Sequence, residues 1–259
     1  MSLGYAFAIS GKGGVGKTIT AALIISYLTK HGSVLAIDAD PDFNLPQALG
    51  VNVAKTIGEV RESFLAHPAQ AVKSGMNEWN AFELATIEVI EETLGFDLVV
   101  MGKPEGSGCY CGVNTILRGV IDSRADSYDF TVIDCEPGLE HLSRRTTRDV
   151  DIMLAITDAT KNGFNAITRI KDLSMGLDVS FGKVMVVANR ITPEKTELLN
   201  SLALAEGVEI EAVIPYDPEL ARLDAEGESV LSLHEESPAA ISVAKLCQTM
   251  LAWMSAPSL

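Results

Sequence analysis

The run Gly11-Lys12-Gly13-Gly14-Val15-Gly16-Lys17-Thr18 sets a glycine, four residues, then Gly-Lys-Thr in one short loop. Glycines let successive backbone amides turn toward one anion, Lys17 can neutralise terminal phosphate oxygens, and the Thr18 hydroxyl suits Mg2+. The chemistry implied is the cradling of a nucleotide's phosphates. Carboxylates follow in Asp38-Ala39-Asp40-Pro41-Asp42-Phe43-Asn44 and at Asp134, after the apolar Val132-Ile133. Phosphoryl transfer needs a group that holds the attacking water in line while charge spreads over the phosphate oxygens. Taken alone, an acidic strand end is usually a helix cap or a solvated turn. Finally, Gly106-Ser107-Gly108-Cys109-Tyr110-Cys111-Gly112 holds two thiols one residue apart between glycines. Two such thiolates can approach one ion, yet a structural zinc site has four protein ligands, so half the shell would be empty. Spacing alone leaves two incidental thiols as an equal alternative.

These residues need a scaffold. Val- and Ile-rich runs recur at Tyr5 to Ile9, Val34 to Ile37, Leu98 to Met101, Phe130 to Ile133, Ile152 to Ile156, Val184 to Ala188, and Val213 to Ile214. They read as strands buried on both faces. Helical periodicity occupies Thr18 to Lys30, Asn114 to Ser123, Asn162 to Met175 and Pro238 to Met254. The alternation predicts an α/β fold: a doubly wound, mostly parallel sheet with helices on both faces. The glycine-rich loop then follows the first strand and opens the first helix, the context its chemistry requires. Residues 50 to 95 read as an insertion of helices with a hairpin between the second and third core strands. No linker divides the chain, so 1–259 is expected to be a single domain.

Composition narrows the partners. Twenty basic against thirty-five acidic residues give a net charge of −15, which opposes broad attraction to nucleic acid or anionic lipid. No secretory leader or span-length apolar run is present, so a cytoplasmic protein without nucleic-acid or membrane binding is expected. Four cysteines do not make a disulfide framework in a chain of 259 residues. Cys135 and Cys247, in apolar surroundings, read as small buried hydrophobes.

Lys12 stands inside the loop where many phosphate loops have a small residue. In this, Lys-Gly-Gly-x-Gly-Lys-Thr resembles the deviant Walker A family, which includes the MinD, ParA, arsenite-pump ATPase and nitrogenase iron protein groups. The resemblance implies an ATPase using ATP/ADP and Mg2+, in which Lys12 reaches across a two-fold axis to the partner's nucleotide in a homodimer. It further implies that Asp40, before Pro41, orients the attacking water or contacts it through Mg2+. Asp134 then matches a Walker B carboxylate that holds Mg2+ through water, and Gly138 a second-switch glycine. Asn189 and Pro215-Tyr216-Asp217 lie where this family reads adenine. One departure is Ile19: many relatives have a second threonine there, so a side-chain hydroxyl contact to the α-phosphate is lost and only the backbone amide remains.

In a two-fold dimer, Cys109 and Cys111 from both chains would close one four-thiolate site on the axis. The segment Gly-Cys-Tyr-Cys-Gly followed by Asn114-Thr115, with Gly138-Leu139-Glu140-His141-Leu142 after Asp134, resembles the CooC-type maturation ATPases that serve nickel insertion into carbon monoxide dehydrogenase. The resemblance implies a dimeric metallochaperone with that enzyme as client. Four thiolates suit tetrahedral Zn2+ and equally square-planar Ni2+, so the ion stays open. Two other functions compete. A nitrogenase-iron-protein-like ATPase would bridge a [4Fe-4S] cluster, but Glu136 to Leu142 has no cysteine for the second cluster loop. A MinD/ParA-like positioning ATPase would need a basic amphipathic last helix or a basic surface, and Ile241 to Met254 offers only Lys245.

Overall fold

The computed structural model describes residues 4–66, 89–103, 124–136, 150–176 and 181–256. The strands are β1 Tyr5–Gly11, β2 Val34–Ala39, β3 Glu91–Glu92, β4 Phe96–Val100, β5 Phe130–Cys135, β6 Val150–Thr157, β7 Phe181–Ile191 and β8 Ala212–Pro215. They form one sheet in the order β3-β4-β2-β5-β1-β6-β7-β8. Every neighbouring pair is parallel except the short β3–β4 hairpin at one edge. The seven expected strands are all present, each within a few residues of its apolar run. Of the insertion expected at 50 to 95, residues 67–88 lie outside the described residues; its end, β3, pairs antiparallel with the third core strand, β4.

The described helices are α1 Lys17–Leu28, α2 Leu45–Leu49, α3 Ile57–Ala66, α4 Lys161–Gly176, α5 Thr196–Ala205, α6 Pro218–Glu226 and α7 Pro238–Ser255. Strand residues alternate between two cores, as the period of two demands. Phe7, Ile9, Val34, Ala36, Val132 and Leu154 pack with α1, α2 and α7 on one face. Ala8, Leu35, Ile37, Ile133 and Met153 pack with residues of α3, α4 and α5 on the other. Both faces being covered explains why the central strands are continuously apolar. Cys135 belongs to the second core and Cys247 to the first, both buried, and burial pushes both thiols up and away from reactivity. The helix expected at Asn114 to Ser123 lies outside the described residues.

This topology assembles the site. In parallel α/β sheets, ligands bind beyond the carboxyl ends of the strands, where neighbouring connections diverge. β1 lies between β5 and β6, so the loop at Gly11–Thr18 emerges at the middle of that edge. The ends of β2, β5, β7 and β8 bring up Asp40, Asp134, Asn189 and Pro215 around it.

Candidate functional site

The phosphate loop is shaped by close backbone approaches. Gly11, the last residue of β1, pairs beside Ile156 of β6; a Cβ there would stand 2.2 Å from the Ile156 carbonyl oxygen. Gly16 has φ 87° and a Cβ would stand 2.6 Å from Asn189 Nδ2, so left-handed backbone and crowding both require glycine. α1 begins straight after it with no side-chain cap on its N-terminus. Its first amides are therefore left for an external acceptor, and the helix dipole favours an anion there. The loop is held from behind by Asn189. Its side-chain amide donates to the Val15 carbonyl at 2.9 Å and to Thr20 Oγ1 at 3.4 Å, while its Oδ1 accepts from the Arg190 amide at 2.9 Å.

A cavity of about 690 Å3 opens over this loop. Gly13, Gly14, Gly16, Lys17, Thr18 and Ile19 line one side, and Asp40, Pro41, Asp42 and Asn44 another. Thus Lys17, Thr18 and Asp40 share one cavity, as expected. Lys17 is only 7% exposed, which raises the electrostatic weight of its ammonium. Asp134 is paired in register with Ile9 on one side and with Asp38 on the other. By strand alternation it shares the α1 face with Val132. It is 1% exposed and neither carboxylate oxygen has a hydrogen-bond partner among the described residues. Desolvation pushes its carboxyl up to about 7, opposed by the Thr18 hydroxyl and the Lys17 ammonium and reinforced by Asp40. Thr18 acts from nearby without closing a bond of ordinary geometry on either oxygen. A buried carboxylate with two orphaned oxygens beside a threonine hydroxyl is the donor set a hard cation seeks, so these residues fit Mg2+.

Asp38 anchors the neighbouring loop. It is fully buried; its Oδ1 accepts from the Asp40 amide at 3.0 Å and its Oδ2 from the Leu45 amide at 2.9 Å. Burial, then the charge of Asp134, hold its carboxyl well above the usual range. One side chain so clamps both ends of the segment carrying Asp40, whose own Oδ1 accepts from the Asp42 amide at 2.9 Å. Phe43 closes this turn with φ 36°, a conformation unusual for an aromatic residue.

A second cavity of about 180 Å3 adjoins, lined by Ile19, Asn189, Pro215, Tyr216 and Asp217 among others. All the residues expected around adenine are thus brought together. The Asp217 carboxylate, however, caps α6, with Oδ1 accepting from Glu219 and Leu220 amides and Oδ2 from the Ala239 amide. Lys12 is half-buried and not among the residues lining the larger cavity. Cys109, Cys111 and Gly138 lie outside the described residues.

Sequence reasoning missed Arg190, Asp224, Lys103 and Glu136, which also line the larger cavity. Lys103 pairs with Asp42 at 2.7 Å. Arg190 lies near the end of β7, where the pairing with β8 is irregular between Ala188 and Ile191, and adopts φ 58°, a backbone state that no side-chain pattern announces.

Residues 6–230 match the CobQ/CobB/MinD/ParA nucleotide binding domain. An uncharacterized ATP-binding protein of Methanocaldococcus jannaschii is 44% identical over 246 residues, 94% of this chain and 97% of that protein. The carbon monoxide dehydrogenase accessory protein CooC of Rhodospirillum rubrum is 28% identical over 90% of each chain. Among solved structures, the septum site-determining protein MinD of Pyrococcus horikoshii, complexed with Mg-ADP, superposes with a TM-score of 0.70 at 23% identity, covering 99% of this chain and 100% of that one. With a matched stretch that spans the site from β1 to the end of β8, the chain belongs to the CobQ/CobB/MinD/ParA family of nucleotide-binding domains.

Proposed function

We propose that this chain hydrolyses ATP as a nucleotide-controlled dimer and couples that cycle to handling a thiolate-bound metal ion. The observation that carries the hydrolytic part is the buried Asp134 carboxylate, without a hydrogen-bond partner among the described residues, beside Thr18 and Lys17, which line the larger cavity together with Asp40. The free amides of α1 and the Lys17 ammonium hold the β- and γ-phosphates. Asp40, fixed in place through Asp38, orients the water for in-line attack. Thr18, with Asp134 and Asp40, would hold Mg2+, which would neutralise charge on the phosphate oxygens. The smaller cavity takes the adenine, with Asn189 and the Pro215–Tyr216 backbone beside it.

Lys12 supports the dimer. No ion pair closes on its ammonium among the described residues, and it stands outside the lining of its own chain's cavity. That placement fits a lysine whose phosphate belongs to a second copy. The metal part rests on Cys109 and Cys111 and on the CooC relative. Nickel or zinc would be cargo held by four thiolates on the dimer axis, and carbon monoxide dehydrogenase the client. A positioning ATPase is the second reading, favoured by 24% identity to a MinD of Synechocystis over 79% of this chain. Against membrane attachment by the last helix, α7 already buries Ala239, Val243, Leu246, Cys247 and Met250 in the core. No helix among the described residues is long and apolar enough to cross a membrane.

Two variants test the hydrolytic reading. Lys17→Ala should abolish ATP binding, measured by titration calorimetry. Asp40→Ala should bind ATP with near wild-type affinity but lose at least about 100-fold in turnover, accumulating an ATP-bound dimer. Normal turnover in both variants would sink the assignment.

A further inference from the structure

Three residues, Ile19, Arg190 and Asp224, line both the larger and the smaller cavity. A nucleotide with its phosphates on the loop and its base in the smaller cavity must pass between them with its ribose and α-phosphate. Ile19 offers no hydroxyl at this junction. The Arg190 guanidinium does reach it, donating to the Gly14 carbonyl of the phosphate loop at 3.3 Å and to Asp224 Oδ2 at 3.2 Å. Its backbone is fixed at φ 58° by the Asn189 Oδ1 bond to its amide, so the side chain starts from a set position beside the loop. The ion pair is half-exposed on both sides, at 47% and 45%. A pair so placed is weak and free to exchange partners.

We propose that Arg190 is a nucleotide-binding residue that leaves Asp224 for the α-phosphate, and that Asp224 is its competing counter-ion before nucleotide binds. This rests on the nucleotide reading above and names what this chain uses where the threonine hydroxyl is missing. A guanidinium matches two phosphate oxygens with a planar fork. Asp224 stores the charge until the anion arrives, which keeps a free arginine from drawing the loop out of shape. The contact is to the α-phosphate, so ADP and ATP should feel it equally.

The test is calorimetric titration of the full chain with MgADP and MgATP. Arg190→Met keeps a Cβ and an unbranched stem on the same left-handed backbone and should weaken both nucleotides by the same factor, about 10- to 100-fold. Asp224→Asn should tighten both, by roughly 3-fold, because the competitor is neutralised. The double variant should match Arg190→Met, since Asp224 acts only through Arg190. Arg190→Lys, which keeps charge without the fork, should fall between and serves if the methionine variant fails to fold. A merely structural ion pair would move both single variants in the same direction; that outcome, or unchanged affinity in Arg190→Met, overturns the proposal while leaving the nucleotide site standing. Failure of the wild type to bind either nucleotide removes the nucleotide reading itself, and this proposal with it.

Discussion

Burying the Asp134 carboxylate with neither oxygen hydrogen-bonded among the described residues costs the nucleotide-free fold on the order of several kcal/mol when the group is ionised, through its desolvation. The unfolded carboxyl titrates near 3.8 and the folded one near 7. Between those values the folded chain holds a proton that the unfolded chain has lost, so stability falls as pH rises through the window and levels off above it. Asp38, raised by the same burial and by Asp134 itself, adds with the same sign. Asp134→Asn removes this titration. From about pH 5 to 7.5 the wild type, free of nucleotide and Mg2+, should lose on the order of 3 kcal/mol relative to the variant. In a chain of this size that is roughly 5–10 °C in melting temperature, read by circular dichroism. Parallel melting curves for the two proteins across the window would mean that Asp134 ionises freely. Lys17, Thr18, Asp40 and Asp134 were legible because phosphate chemistry restricts both their types and their places after apolar runs. Arg190 and Asp224 were not, because their roles come from a left-handed backbone and from a contact between distant segments. The Asp217 cap was hidden by its neighbours: Asp-Pro reads as a helix start, yet it also sits where the base is expected.

At the scale of elements, the loop is preformed because the end of β7 braces it. Asn189 joins that strand to Val15 and to Thr20 of α1, and Thr20 Oγ1 also donates to the Gly16 carbonyl at 2.8 Å. Asn189→Ala leaves the Val15 carbonyl and the Arg190 amide without these partners in a buried place. It should lower stability by about 2–3 kcal/mol, measured as a reduced urea midpoint. Nucleotide affinity should fall as well, because ordering the loop is then charged to binding. Full affinity in a destabilised variant would show that the anion alone orders the loop. The strands themselves were legible since burial on both faces writes an unbroken Val/Ile run. Strand order was not, because every parallel strand looks alike to its own sequence and position in the sheet is decided by crossover connections. α2, α5 and α6 were absent from the expected helices. α2 is five residues long and begins at Leu45-Pro46, too short for a period to show, while α5 and α6 are only ten and nine residues long and bury two and one residues.

The whole molecule carries a net charge of −15, so two copies repel one another, less so where salt screens them beyond about 8 Å. Bound ATP adds further negative charge. Any two-fold contact at this face must therefore bring its own cations, and Lys12, without an ion pair among the described residues and outside the lining of its own chain's cavity, is the lysine of the loop placed to serve. Lys12→Ala should still bind ATP as a monomer yet fail to dimerise with it, which light scattering on a column would read. Metal in place of ATP offers a second way to offset the repulsion. Four thiolates from Cys109 and Cys111 of two chains would close a complete shell around one ion, whereas one chain alone would supply half. The wild type loaded with Ni2+ or Zn2+ should accordingly contain one ion per two chains, and metal should shift its mass toward the dimer. Cys109→Ser with Cys111→Ser should lose the ion and keep the wild-type affinity for ATP, since neither thiol belongs to the phosphate loop. Metal analysis combined with mass measurement decides: one ion per single chain, or unchanged stoichiometry in the double variant, rejects the shared site. Iron and sulfide in equal amounts with visible absorbance would instead make the same four thiolates the holder of a cluster.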